Sequence, residues 1–321
     1  EYVMNMNKLH LSKSKTHYII VVFLAILSLS IHPLCAQNQC SVPGLPTIRI
    51  ATWNVKDCSA TNQKTKEAFL LHSFIAEAIK EARIDIIAFQ EIQIEGRKGA
   101  DIALLQDALM GIDWAMPHVA SARSPLNDDL AILSRFPITE SQTILAPSEQ
   151  PWPRPVLEAC IDLGDMLLYL YTAHFKAYAD QESLSARLAQ AQALASHIRQ
   201  YFGQSIKETA IILAGDFNTV SSYDMQSKIG TVDLLQLRDN EDSTDDFLSL
   251  NLEWLNFKPT YKSKSYASIT DHIIVSPLLS AYADRDSIEI VDPLLNENGL
   301  SLSDHKMLVL NLDRRWLVIQ K

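Results

Sequence analysis

The chain is 321 residues long and carries 28 Lys and Arg against 38 Asp and Glu, a formal net charge of −10, with 47% hydrophobic residues. Tight, salt-driven attachment to nucleic acid over a whole surface needs many Lys and Arg contacts to phosphate, and this balance argues against it. A local basic groove stays compatible with the composition, because the acids of a metal centre are offset by the cation they hold.

Lys8, Lys13 and Lys15 precede Tyr18–Ile31, an almost wholly apolar run of about 14 residues that Pro33 to Ala36 interrupts. The run falls short of the ~20 residues that span a membrane, so residues 1–36 read as a secretory signal peptide cleaved near Ala36. The product is then expected to be secreted or periplasmic, without a stable membrane span. Neither Cys35 nor Cys40 follows the small residues of a lipid-modification site. Residues 37–321 contain no Pro/Gly/Ser linker, repeat or charge block, so a single domain acting as a monomer is expected. Cys40, Cys58 and Cys160 survive cleavage; Cys58 with Cys160 is the preferred disulfide, and no Cys/His spacing suggests zinc.

In chain order, Ile48–Trp53 reads as a strand that runs into Asn54. Lys64–Arg83 follows with apolar residues at helical spacing, among them Leu71, Phe74, Ile75 and Ile79. Ile84–Phe89 is a second strand, ending in Gln90 and Glu91. Leu130–Leu133, Ile138–Leu145, Val156–Leu163 and Met166–Ala173 read as consecutive strands, the last two joined by a Gly164-Asp165 turn, and the last runs into His174. Glu182–Phe202 is a second helix. Ala210–Ala214 is a strand leading into the tetrapeptide GDFN, Gly215 to Asn218. Thr270-Asp271-His272 opens Ile273–Val275, and Ser303-Asp304-His305 opens Met307–Leu312. Polar groups gathered at the ends of apolar strands are costly unless they serve chemistry. If those ends converge, Asn54, Glu91, His174, Asp216, Asn218, Asp271, Asp304 and His305 form one cluster of hard oxygen donors and imidazoles. Such a set suits Mg²⁺, Mn²⁺ or Ca²⁺ better than zinc.

The ordered set TWN, QE, a strand-end His, GDFN, TDH and SDH resembles the endonuclease/exonuclease/phosphatase superfamily. That superfamily includes deoxyribonuclease I, abasic-site endonucleases, deadenylases, inositol polyphosphate 5-phosphatases and bacterial sphingomyelinases. The resemblance runs from about Ile48 to about Leu312. It implies a deoxyribonuclease I-like α/β fold, a four-layer α/β/β/α sandwich of two packed mixed sheets with the site at one end. It also implies a metal-dependent hydrolase of phosphate esters using Mg²⁺, with Mn²⁺ or Ca²⁺ as alternatives. Glu91 would hold the cation with Asp304 and Asn54, directly or through water. His305, oriented by Asp271, would act as base or as charge partner to the phosphate. Asp216 and Asn218 would orient the attacking water, and His174 would donate to a phosphate or leaving oxygen. His272 reads as a packing residue.

Two positions depart from relatives. Lys56 stands where abasic-site endonucleases show an aspartate two residues after the asparagine, which puts a second metal in doubt, and Ile269 stands where many relatives have an arginine. The expected substrate is nucleic acid, DNA or RNA, in keeping with the His174-Phe175-Lys176 run. The alternative is a small phosphate ester or phospholipid headgroup, for which Pro151-Trp152-Pro153 is the nearest aromatic membrane segment. Arg123, Arg154, Lys176 and Arg187 are candidate phosphate contacts, weighed against a reading as solvated surface charges. Ala100–Asp129 and Asp239–Tyr266 are the loops expected to select substrate, since the shared fold does not.

Overall fold

The computed structural model describes residues 47–58, 68–94, 101–125, 128–145, 154–293 and 302–313. The expected signal peptide, Cys40 and Pro151–Pro153 lie outside the described residues. The strands are β1 (Thr47–Cys58), β2 (Ile86–Ile92), β3 (His118–Ala122), β4 (Asp129–Ser134), β5 (Ile138–Ile144), β6 (Val156–Asp162), β7 (Leu167–Ala173) and β8 (Ala210–Asp216), then β9 (Leu248–Ser249), β10 (Tyr261–Lys262), β11 (Ala267–Ser268), β12 (Asp271–Val275), β13 (Ile288–Val291) and β14 (Met307–Asp313). They form a six-stranded sheet in the order β13-β14-β1-β2-β4-β3, a second in the order β5-β6-β7-β8-β12-β9, and the separate β10–β11 hairpin.

Each six-stranded sheet holds one parallel pair, β1 with β2 and β7 with β8, and is otherwise antiparallel. A parallel neighbour requires a crossover, and the two crossovers are the helices α1 (Ala68–Glu81) and α3 (Gln181–Phe202). A shorter helix, α2 (Asp101–Gly111), lies between β2 and β3. The alternation of side chains along the strands sorts the core into three bands. Ile48, Ile50, Ile86 and Ala88 from one sheet pack with Leu168, Leu170, Ile212 and Ile273 from the other. The opposite side of the first sheet, with Ala51, Trp53, Ile87 and Phe89, meets Ile75 and Ile79 of α1 and Leu105 and Leu109 of α2. The opposite side of the second, with Ile211, Leu213 and Ile274, meets Ala191, Leu194 and Ile198 of α3. Helix, sheet, sheet, helix is the four-layer arrangement expected.

The Gly164 turn joins β6 to β7 with a φ of 93°, and its N–H donates to Asp162 Oδ1 at 2.7 Å. Two expectations change. The stretch 100–129 is not simply loop, because Ile102, Leu105 and Leu109 give α2 a buried face and β3 pairs along β4. Cys160 is a buried free thiol on β6, in the sheet opposite to Cys58, so the Cys58–Cys160 disulfide is not formed. Among the described residues no helix is long and apolar enough to cross a membrane.

Candidate active site

The pleat fixes which strand-end residues meet. On β8, Ala210, Ile212 and Ala214 face the other sheet, so two residues on Asp216 does too. The same parity carries Ile48 and Ile50 to Thr52 and Asn54, Leu168 and Leu170 to Thr172 and His174, and Ile273 and Val275 back to Asp271. A polar bridge marks the transition from core to site: the buried Gln90 side chain donates to Thr52 Oγ1 at 3.0 Å and to Thr172 Oγ1, across the sheets, at 2.8 Å.

Glu91 has the wrong parity. Ile87 and Phe89 pack against the outer helices, and an unbroken strand would send Glu91 after them. Instead the β2–β4 register shifts between Gln90 and Ile92, and Glu91 takes a φ of 55°. A bulge of this kind re-aims one side chain, at a backbone cost of about 1–3 kcal/mol for a non-glycine residue in a left-handed conformation. Lys56 and Asn218 also sit at positive φ beside the site. Gly215 has the opposite role. A Cβ there would lie 2.4 Å from the Ala173 carbonyl oxygen, so only glycine lets the end of β8 close onto the end of β7 and set Asp216 beside His174.

Asn54 ties the two sheets together at the site. Its Nδ2 donates to Glu91 Oε1 at 2.9 Å and to Asp216 Oδ2 at 3.0 Å, while its Oδ1 accepts the Lys56 N–H at 3.0 Å. In this geometry the amide orients two carboxylates and its oxygen is already engaged. His305 Nδ1 lies 3.1 and 2.9 Å from the two Asp271 oxygens, and its Nε2 lies 3.7 Å from Asp216 Oδ2. His174 Nε2 stands 3.4 Å from Asp216 Oδ2 and 3.6 Å from Glu91 Oε1. Asn218 donates its backbone N–H to Asp216 Oδ1 at 3.0 Å and its side-chain amide to the Phe175 carbonyl at 3.0 Å.

Burial is the largest influence on each of these groups, and their neighbours decide the outcome. For His305 burial opposes the charge, yet Asp271 and Asp216 together push the imidazole up to about 10. For Asp271 burial pushes up, but His305 and the Thr260 and Thr270 hydroxyls hold it below the usual carboxylate range. Asp216 is raised by burial to about 7, His305 opposing and Asp271 adding to the rise. Burial, then Arg154 and His305, push His174 well below the ordinary histidine value. At neutral pH the site therefore holds an imidazolium–carboxylate pair, a carboxyl poised to exchange a proton, and a neutral imidazole.

The ligand atoms of Asp216, Asp271 and His305 lie within 4.8 Å of one another. That trio is a poor home for a hard cation, because Asp271 is committed to His305 and Thr270 and His305 is itself positive. Glu91 and Asp304 fit better: both are carboxylates that line an open cleft of about 740 Å³ together with His174, Asp216, Asn218 and His305. Hard oxygen donors facing a polar cleft are what Mg²⁺ or Mn²⁺ require. Lys56 adds a feature of its own, with Nζ 2.7 Å from Asp304 Oδ2, so an ammonium already neutralises one of the two acids.

All eight expected residues thus meet at one end of the sandwich. The candidate phosphate contacts, for which a solvated surface charge is the favoured reading of the sequence, mostly do not serve the cleft. Arg187 is fully buried, paired with Asp224 at 2.9 Å through two nitrogens and donating to the Lys176 and Tyr178 carbonyls; it is neither a phosphate contact nor a solvated charge. Arg154 reaches the cleft wall but holds Asp128 at 2.5 Å and the Phe175 carbonyl. Lys176 lies over the Tyr178 ring, and Arg123 is exposed just beyond β3. His272 packs as expected. Thr219 Oγ1 donates to the Ile269 carbonyl at 2.6 Å and so accepts from His272 Nε2 at 2.7 Å, which fixes a neutral imidazole that burial pushes down to about 4. Sequence reasoning missed Thr260, whose Oγ1 accepts the Thr270 and Asp271 N–H groups, and Tyr261, whose ring packs 4.8 Å from that of His305. No spacing flags them, though the Lys and aromatic alternation around Tyr261 was there to be read.

A model described as the Endonuclease/Exonuclease/phosphatase family matches residues 51–305. No curated protein matches the chain in sequence. Among solved structures it is similar to an endonuclease/exonuclease/phosphatase from Beutenbergia cavernae DSM 12333, with a TM-score of 0.61 and 15% identity over 84% of this chain and 72% of that one. It is similar to D. rerio TDP2 complexed with a single strand DNA product, at 0.59 and 16% over 83% and 98%. It is also similar to the human Nocturnin catalytic domain with a bound sulfate anion, at 0.57 and 19% over 83% and 93%. At these identities the likeness carries the fold, and the chemistry is argued from the residues above.

Proposed function

This chain belongs to the Endonuclease/Exonuclease/phosphatase family and hydrolyses phosphate ester bonds, and from that premise we propose that it is an exported, divalent-metal-dependent nuclease. The observation that carries the proposal is Asp216, whose Oδ2 stands 3.4 Å from His174 Nε2 and 3.7 Å from His305 Nε2 while sharing the Asn54 amide with Glu91. Hydrolysis needs an attacking water stripped of a proton, charge compensation on the phosphoryl oxygens, and relief of charge on the leaving oxygen. His305 is a cation at neutral pH, held by Asp271, so it compensates charge on the phosphate instead of acting as the base. Asp216, with its carboxyl near 7, takes the proton from the attacking water as the new P–O bond forms and the scissile P–O bond breaks, the departing oxygen taking its proton from solvent. Neutral His174 donates through Nε2 to a phosphoryl oxygen, and the Asn218 amide helps fix the water and phosphate. A divalent cation held by Glu91 and Asp304, when bound, supplies Lewis-acid charge to the phosphate and the leaving oxygen.

The test is a substrate panel in Mg²⁺ with a chelator control: plasmid DNA, single-stranded RNA, a phosphoinositide and sphingomyelin. Nucleic acid cleavage that the chelator abolishes supports the proposal; headgroup release without nucleic acid cleavage rejects it. Export rests on the residues before Ala36. A secreted product whose first residue is Gln37 supports it, and retention of residues 1–36 in mature protein refutes it.

A further inference from the structure

Between Trp254 and Thr270 the chain has no acidic residue, while Lys258, Lys262 and Lys264 alternate with Phe257, Tyr261 and Tyr266. In a protein of net charge −10 this is a local reversal, and it sits beside the catalytic cleft. Its centre is the β10–β11 hairpin, with Tyr261 opposite Ser268 and Lys262 opposite Ala267. Three contacts fix the hairpin to the site. Tyr261 forms a backbone bridge to His305, the Lys262 N–H donates to the Asp304 carbonyl at 2.9 Å, and the Lys306 N–H donates to the Thr260 carbonyl at 2.7 Å. The Tyr266 ring, 5.5 Å from that of Tyr261, is half exposed and forms part of the cleft wall.

Beyond Asp304 lies a second depression of about 300 Å³, whose basic side chains are Lys56, Lys262 and Lys306. Lys56 and Asp304 line both depressions, so the two adjoin. Lys56 is paired with Asp304 and Lys306 with Asp292, whereas Lys262 has no acidic partner among the described residues. An aromatic face at the reaction centre followed by ammonium groups matches an extended polynucleotide, in which bases stack on rings while phosphates track lysines. A duplex keeps its base faces inside its own stack and cannot offer them. A lipid-inserting hairpin would carry its aromatic rings at the tip; here the tip is Ser263-Lys264-Ser265 and Tyr266 turns to the cleft.

We propose that the Tyr261–Ser268 hairpin is a single-strand-binding element: a base beside the scissile phosphate stacks on Tyr266, and the adjoining backbone runs over the Lys56, Lys262 and Lys306 groove. The inference rests on the nuclease reading of the same site and narrows its substrate to single-stranded nucleic acid. The test compares wild type with Tyr266→Ala and Lys262→Glu in two assays. Turnover is measured on bis(p-nitrophenyl) phosphate, a 20-mer single strand of DNA or RNA, and the matched duplex; binding of a labelled single strand is measured by anisotropy in chelator. Loss of one stacking ring is expected to raise KM for the single strand, and its dissociation constant, about tenfold, with turnover of bis(p-nitrophenyl) phosphate within twofold of wild type. Lys262→Glu is expected to weaken single-strand binding and flatten its salt dependence. Unchanged single-strand KM and binding in both variants, with the minimal diester still cleaved, overturn the hairpin's role alone. Equal losses on duplex and single strand also overturn it, as does a selective loss of binding to sphingomyelin vesicles. Wild-type protein that cleaves neither the diester nor any nucleic acid overturns the nuclease reading and this inference with it.

Discussion

Replacing Asp271 with Asn removes one charge and almost no volume from a fully buried position. Both Asp271 oxygens face His305 Nδ1, at 3.1 and 2.9 Å, so the imidazolium loses its counter-ion while the cavity stays filled. At an effective dielectric of about 20, unit charges roughly 4 Å apart attract by about 4 kcal/mol. At 1.36 kcal/mol per unit that is about three pKa units. His305, which sits at about 10 in the intact pair, is therefore expected to fall to the ordinary histidine range. At pH 8 the variant's imidazole is then neutral, no longer compensating charge on the phosphate, and free to adopt the wrong tautomer. Turnover should drop on the order of 10²- to 10⁴-fold, the scale at which a misoriented histidine costs other hydrolases. Losing a charge-assisted hydrogen bond also costs about 1.5–3 kcal/mol of stability, or roughly 2–5 °C in Tm at this chain length. The assays are an NMR titration of the His305 ring in chelator and a pH–rate profile in saturating Mg²⁺. A His305 midpoint that stays near its wild-type value, or turnover within threefold of wild type, would refute the reasoning.

Glu91→Gln should weaken Mn²⁺ or Mg²⁺ binding at least tenfold by calorimetry, and equal affinity would remove Glu91 from the ligand set. Gly215→Ala places a Cβ against the Ala173 carbonyl, backbone on backbone, and should cost about 1–3 kcal/mol; a Tm equal to wild type would show that β7 and β8 separate freely there. The pH dependence of stability in chelator has a definite sign for each group. Asp216 is raised to about 7, so between about pH 3.9 and 7 the folded state holds a proton that the unfolded state has released, and the contribution of this group to stability falls as pH rises. His305 contributes fully below about pH 6.5 and loses its contribution as pH climbs through about 10, while Asp271 contributes fully above about pH 3.9 and loses its own as pH falls through its depressed value. His174 and His272, both pushed down by burial, act in the opposite sense, because below about pH 6.5 the unfolded histidines hold protons that the folded ones do not. Asp216→Asn should therefore remove one falling contribution and make stability rise more steeply with pH between about 5 and 6.5, and a variant curve parallel to wild type there would show that Asp216 makes no such contribution.

The strand-end pattern was legible because it depends on one local rule. Apolar alternation places Asn54, His174, Asp216 and Asp271 on one face, and no long-range knowledge is needed to see that GDFN ends a buried strand. The element order alone showed an α and β chain with strands dominant in the middle, and the four-layer sandwich came from the family resemblance. What stayed hidden depends on pairing between distant segments. The bulge at Glu91 is invisible until β2 meets β4, since nothing in the run Phe89-Gln90-Glu91-Ile92 marks a break in parity. Arg187 looks like any charge on a helix, and only the Asp224 turn, 37 residues later, buries it. Lys56 stood out in the sequence as a departure, but its pairing with Asp304 joins residues 248 apart. Tyr261 and Tyr266 lie in a stretch without periodicity, where composition was the only signal.

The first described strand has the last one as a neighbour: Thr47 pairs with Asp313, and β14 borders β1 all the way to Leu308 at Thr52. The segment that leads into β14 carries Asp304 and His305. A chain without residues 303–313 leaves one flank of β1 unpaired and lacks both Asp304 and His305. Stopped before Ser303, the chain should be inert toward every phosphodiester.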